Sequence, residues 1–414
     1  MQPLPGFRDF LPDDCALRNV IFSRWREVCR SYGFVEWDGP ILEPTELYKK
    51  KSGPEIVAQL FNFTDKGDRE VALRPELTPS LARVVAAHER EFRKPLKWFS
   101  IPQCFRYEKQ QRGRLREHYQ LNCDIIGDAS PAADVELIAL SIDLLRAFGL
   151  TANDVVVRLS DRKFWTDLLR TQNVPEDRWS ELLQMIDKSE REPREKTVER
   201  LGPLAAPVFE VLDGSGRSDK LDQLVSDLAQ RGLAEFVKVD LSIVRGLAYY
   251  TGVVFEAFDR AEKLRAIAGG GRYDNLIHQL SDGAVSLPAV GFAMGDVVLG
   301  ELIRETPASF ARLADLISTQ SAIDIYLVVA KEERRPDAFS DLQQLRDAGL
   351  RVDYPLTPMK VGRQFQTAEA MGARVTLLYG DEWPAVKMKT LANREETLVP
   401  NEELLGRVKR LLSS

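Results

Sequence analysis

The segment Phe105–Gln120, FRYEKQQRGRLREHYQ, constrains this chain most. Five basic residues (Arg106, Lys109, Arg112, Arg114, Arg116) surround one glycine, Gly113, with aromatic residues at Phe105 and Tyr107. The preceding LKWFSIPQCFRYE is bulky and lacks helical period, which predicts a strand; QLNCDIIG predicts its return. Together they predict a hairpin with a charged tip. Guanidinium groups at its base can grip phosphate bidentately, and others on the tip can meet a nucleic-acid backbone. The plainer alternative is a solvated tip, because charge runs usually face solvent.

The rest of the chain makes that cluster local. Over 414 residues the net charge is −6, which disfavours a non-specific DNA binder and confines nucleic-acid contact to patches. With 44% hydrophobic and 29% charged residues, the chain reads as soluble and globular, long enough for two or three domains. Cys15, Cys29, Cys104 and Cys123 show no CxxC spacing, so reduced thiols in a cytoplasmic protein are expected. Three histidines (His88, His118, His278) leave little for a metal site, and none is expected. No apolar run approaches membrane-spanning length, and the start lacks a signal-peptide layout.

A helix is predicted from about Cys15 to Tyr32, its apolar face marked by Leu17, Val20, Ile21, Trp25, Val28 and Cys29. FNFTDKGDREVALRPELTPSLARVVAAH predicts a hairpin turning at Asp65–Asp68, then a helix with Thr78 as N-cap and Pro79 at its first position. Glu76, just before that helix, either complements its dipole or binds a ligand's ammonium group. A helix is expected over 130–150 and a strand at NDVVVRLSD. Residues 161–236 turn charged and helix-friendly, with no strand pattern. Past them, VKVDLSIVRGLAYYTGVVFEAFD predicts strands, AIAGGGRYDNLI a Gly-rich turn into a helix, and SLPAVGFAMGDVVLGELI a strand and helix. Strands and helices alternate after about 320, predicting a separate α/β domain with a mostly parallel sheet.

The hairpin segment resembles motif 2 of class II aminoacyl-tRNA synthetases, most closely the histidyl-tRNA synthetase form FRxERPQKGRxRxFxQ. Phe105, Arg106, Glu108, Gln111, Gly113, Arg114, Arg116 and Gln120 match it, while Lys109-Gln110 and His118 depart from it. SYGFVEWDGPILEP is similar to motif 1, with Pro40 as its proline, and this implies a homodimer. LRPE followed by Thr78 resembles the family's amino-acid-holding element. VRGLAYYTGVVFE resembles the signature RGLDYYTGTVFE, with Ala248 in place of the aspartate. By its own chemistry, Arg245 in an apolar stretch needs an anion, either a core carboxylate such as Glu256 or a phosphate on which charge develops.

The resemblance implies an α+β class II core, an antiparallel sheet flanked by helices, with a helical insertion and a C-terminal α/β anticodon-binding domain. The expected division is 1–160 and 237–304 for the core, 161–236 for the insertion, 305–320 for a linker and 321–414 for the last domain. It also implies Arg245 as the catalytic cation. Arg106, Glu108, Arg114 and His118 would bind ATP, with Arg106 at the α-phosphate and Glu108 at the adenine amino group. Glu76, Thr78, Gln120, Asp124, Tyr249, Tyr250 and Tyr273 would bind L-histidine, Asp124 and Tyr250 taking the imidazole nitrogens. Tyr249 and Tyr250 read equally as strand aromatics. Gln111, Arg112 and Arg116 would meet the tRNA acceptor end, and Mg2+ would bridge phosphate oxygens.

One departure bears on the chemistry. The family's motif 3, GFAxGxER, ends in an ATP-contacting arginine, but GFAMGDVVL puts Val298 in that slot. Two readings follow. One is ATP-dependent ligation of L-histidine to tRNA(His) through histidyl-adenylate. The other is a non-catalytic paralogue that senses histidine, such as the regulatory subunit of ATP phosphoribosyltransferase, which Val298 and Ala248 favour. Arg245, the complete motif 2 and the anticodon-type domain favour the ligase.

Overall fold

The computed structural model describes the chain apart from residues 1, 53, 109–112, 190–191, 245–248, 322 and 414, and without the side chains of 52, 54, 55, 215, 319–321 and 413. Arg245, Ala248, Gln111 and Arg112 therefore lie outside the described residues. The chain divides into two compact units, Met1–Leu313 and Ala314–Ser414. Among the described residues, no helix is long and apolar enough to cross a membrane.

The first unit is built on a nine-stranded sheet. Its order is Val35–Glu36, Leu96–Ser100, Glu117–Ile126, Ala289–Gly295, Ala268–Arg272, Val253–Asp259, Val155–Asp161 and Val237–Val239, with Gln103–Phe105 also on Glu117–Ile126. Pairing is antiparallel except at the two edges, where the first and last pairs run parallel. Helix Pro131–Arg146 is buried nearly all round, as its unbroken apolar run requires, and packs on the central strands. Helix Pro12–Ser31 packs against it and sends Cys29 to the sheet, 3.6 Å from Cys123. Because side chains alternate along a strand, Cys123 facing the helices leaves Gln120, Asn122 and Asp124 on the other face.

Three local readings need correction. The expected strand before the hairpin tip is two, Leu96–Ser100 and Gln103–Phe105. Pro102 between them has no N–H to give the ladder. The register nevertheless continues unchanged, Ser100 opposite Asn122 and Gln103 opposite Tyr119. The predicted N-cap, Thr78, is instead the first helical residue of Thr78–Ala87, with Leu77 in the capping position.

The third correction is AGGGR, expected as a turn and found as the central strand Ala268–Arg272. Glycines are needed there because neighbouring strands crowd the backbone. A Cβ on Gly271 would sit 2.7 Å from the Val253 carbonyl, and one on Gly270 would overlap the carbonyl of Gly291.

Between strands Val155–Asp161 and Val237–Val239, the longest elements are the helices Arg162–Thr171, Trp179–Lys188, Arg194–Leu201 and Asp219–Gln230. A separate three-stranded sheet orders Leu42–Pro44, Glu70–Leu73 and Asn62–Thr64. It carries the loop that delivers Glu76.

In the second unit, five strands follow the order Val352–Asp353, Ile325–Val329, Val375–Tyr379, Ala385–Thr390 and Glu396–Pro400. The first two pairings are parallel and the last two antiparallel, so this sheet is mixed and not mostly parallel. Helices Arg335–Asp347, Val361–Ala370 and Leu404–Ser413 belong to this unit.

Candidate active site

The polar face of the first sheet opens into a cleft of ≈ 920 Å³. Eleven residues expected at the site line it: Glu76, Thr78, Arg106, Glu108, Arg114, His118, Gln120, Asp124, Tyr249, Tyr250 and Tyr273. They come from four stretches of chain far apart in sequence. Arg116 does not join them; its Nε donates to the Glu108 carbonyl at 3.2 Å, and its guanidinium lies 4.5 Å from the Tyr107 ring centroid.

At the floor stands Asp124, on strand Glu117–Ile126. The Tyr273 hydroxyl donates to its Oδ1. Burial lifts the Asp124 carboxyl to about 7, against the Tyr273 hydrogen bond and the charge of Lys51. Tyr273 is pushed up by burial and by Asp124, so its phenol stays a donor. A carboxyl and a phenol together can satisfy both nitrogens of an imidazole, the part expected of Asp124 and Tyr250, which both line the cleft. Room for them comes from Gly291 on the neighbouring strand, where a Cβ would overlap Asp124 Oδ1. Alongside, the Gln120 amide donates to Asn122 Oδ1 at 3.0 Å.

Glu76 stands near the entrance to helix Thr78–Ala87. Burial pushes its carboxyl up, but Lys51 and then Arg106 outweigh it, so it lies below the usual carboxylate range. It is an anion that lines the cleft while already paired with the Lys51 ammonium. Tyr249 and Tyr250 pack ring to ring at 4.7 Å, and Tyr249 meets Tyr273 edge-on at 6.1 Å.

The base of the motif 2 hairpin forms the other end of the cleft. The Arg106 backbone N–H closes the hairpin on the Arg116 carbonyl at 2.8 Å, and its Nε donates to the Pro75 carbonyl at 3.0 Å. Arg114 pairs with Glu108. His118 is pushed down to about 3, first by burial and then by the charge of Arg106, so its ring is neutral. Val298 is 7% exposed, and its Cγ2 is 3.2 Å from where a Gly113 Cβ would be. The slot is filled by packing against the loop glycine.

Sequence reading missed three contributors. Arg8 bonds Glu117 at 3.1 Å and Asp296 at 2.9 Å, while Asp296 accepts from the Tyr119 N–H at 2.9 Å. This ties the N-terminal segment to the strand and helix that flank the cleft. Arg265 lines the same cleft. Lys51 lies within a run of three lysines that reads as a solvated helix end. Among the described residues, no cluster of three or more His, Cys, Asp or Glu side chains could hold a metal.

A family model described as histidyl-tRNA synthetase matches residues 6–212 and 194–296, spanning the sheet and cleft. This chain belongs to the histidyl-tRNA synthetase family. A second model, described as an anticodon binding domain, matches residues 324–411. Among histidyl-tRNA synthetase relatives, a histidine–tRNA ligase of Opitutus terrae is 45% identical, covering 100% of this chain and 99% of that protein. The chloroplastic/mitochondrial histidine–tRNA ligase of Arabidopsis thaliana is 39% identical, covering 98% and 86%. The crystal structure of histidyl-tRNA synthetase from Nostoc sp. shares the fold at a TM-score of 0.79, with 24% identity and 99% coverage of each chain.

Proposed function

We propose that this chain activates L-histidine with ATP to histidyl-adenylate and transfers the histidyl group to tRNA(His). The observation that carries this reading is the single cleft joining Glu76, Gln120, Asp124 and Tyr250 to Arg106, Glu108 and Arg114. An ionised carboxylate, a carboxyl–phenol pair and a group of guanidiniums suit an amino acid's ammonium, its imidazole and a polyphosphate, in that order. Such a pocket rejects apolar side chains, which would leave its polar groups unpaired.

In this reading the histidine carboxylate attacks the α-phosphorus of ATP, and pyrophosphate leaves. Arg106 and Arg245 stabilise the charge that develops on the phosphate oxygens. Mg2+ would arrive on the ATP phosphates, where it screens charge; we assign it no ligands from the protein. His118, neutral and partly buried, would offer a ring face to adenine. The 324–411 domain would read the tRNA anticodon, and Arg116, with Gln111 and Arg112, would meet the acceptor end. We further propose the domain division expected above, a cytoplasmic homodimer, and the residue roles already given.

The sensor reading draws on Val298, and one structural relative carries a title naming both a regulatory subunit of ATP phosphoribosyltransferase and a histidyl-tRNA synthetase. The anticodon-binding match favours the ligase. Histidine-dependent exchange of labelled pyrophosphate into ATP tests it, with Arg245→Ala alongside. Exchange that collapses in the variant is expected. Folded protein that binds histidine without exchange would leave only the sensor.

A further inference from the structure

Helix Thr45–Ser52 ends in three successive lysines that part company. Lys49 pairs with Glu70 at 3.0 Å and Lys50 with Asp282 at 2.9 Å, both at the surface. Lys51 turns inward. Its side chain is 1% exposed, its ammonium donates to the Glu76 carboxylate, and it stands 4.2 Å from the centroid of the Tyr249 ring. A buried ammonium is costly unless matched by fixed charge, and the ring face adds a second, weaker partner. Glu76 and Tyr249 line the cleft, whereas Lys51 itself does not.

Chain connectivity explains why this lysine is in place. The helix follows strand Leu42–Pro44 directly, and that strand pairs with Glu70–Leu73, just ahead of Glu76. The cation and the carboxylate are therefore delivered by adjacent strands of one small sheet.

We propose that Lys51 is a positioning residue of the amino-acid site. From behind the cleft wall it holds the Glu76 carboxylate and the Tyr249 ring in the arrangement that receives the substrate's α-ammonium. It sets affinity for the amino acid, not the rate of phosphate chemistry. The inference rests on the reading of this cleft as a histidine site.

The test compares histidine with 3-(imidazol-4-yl)propionate, which keeps the ring and carboxylate but lacks the ammonium. Lys51→Met is expected to raise the histidine KM in pyrophosphate exchange about tenfold or more, with kcat and the ATP KM within about threefold. Inhibition by the propionate should stay within about twofold, because Glu76 has no ammonium to hold in that ligand. Lys51→Arg should recover much of the loss. A histidine KM close to that of the unsubstituted protein would overturn the proposal. So would an equal weakening of both ligands, the mark of a collapsed pocket.

If Lys51→Met does not fold, Lys51→Gln keeps the length and a donor without the charge. The KM order wild type, Arg, Gln then supports the proposal, and its absence overturns it. An unsubstituted protein that neither binds histidine by calorimetry nor exchanges pyrophosphate would instead remove the functional reading beneath it.

Discussion

The Tyr273 hydroxyl donates to the Asp124 carboxylate at the floor of the cleft, in space that only a glycine at position 291 leaves open. Gly291→Ala would drive a methyl into Asp124 Oδ1 and push the carboxyl off its partner. The expected result is a histidine KM raised about tenfold or more with the ATP KM little changed, read by steady-state exchange kinetics.

Asp124 also makes stability depend on pH. Burial sets its folded value at about 7, above the ordinary 3.8. The folded chain thus holds the proton more tightly, so this group's contribution is complete below about 4 and is lost as pH rises through about 7. Asp124→Asn should match wild type near pH 4, exceed it by roughly 4 kcal/mol at pH 8, and lose exchange activity. Urea denaturation at the two pH values measures this.

His118 acts in the opposite sense. Its folded value, about 3, lies below the ordinary 6.5, so the unfolded chain takes up the proton first. Its contribution is present above about 6.5 and is lost as pH falls toward about 3. His118→Phe should flatten that acid limb, gaining about 2 kcal/mol at pH 4.5, with the ATP KM within about threefold. Denaturation across the acid range, with ATP kinetics at pH 7.5, tests both parts.

Restoring the motif 3 arginine should not help. Val298 already packs against Gly113, and a guanidinium in that 7% exposed slot would displace the hairpin loop. Val298→Arg is expected to destabilise the fold by roughly 1–3 kcal/mol and leave the ATP KM no lower than wild type. Thermal melts and ATP titrations decide this.

The site was legible where its residues sit in contiguous motifs with local chemistry. Glu76 and Thr78 in LRPELT, Arg106 and Glu108 in FRYE, and Tyr273 in GGGRYD were all named from the chain, and the fold brings them to one cleft. What escaped depends on long-range contacts. Arg8 meets Asp296 across 288 positions, which no linear pattern announces. Lys51 is one of three like neighbours, and only tertiary packing turns it inward. The AGGGR strand read as a turn because glycine's usual signal is a bend, whereas here it answers the crowding of adjacent backbones. In the second unit, Glu396–Pro400 alternates too weakly to predict the antiparallel half of the sheet.

Beside Asp124, the sheet's wall of the cleft includes Gly269, Gly291, Ala293 and Gly295, none of which has a rotatable side chain. A ligand resting there freezes no rotamers on that wall, and peptide planes already fixed by the sheet's hydrogen bonds form much of its surface. The entropic toll of recognition thus falls on the residues around the rim. That wall should superimpose between the empty and filled clefts, and any difference in ordering between them should be confined to the tyrosines, the hairpin base and the Glu76 loop.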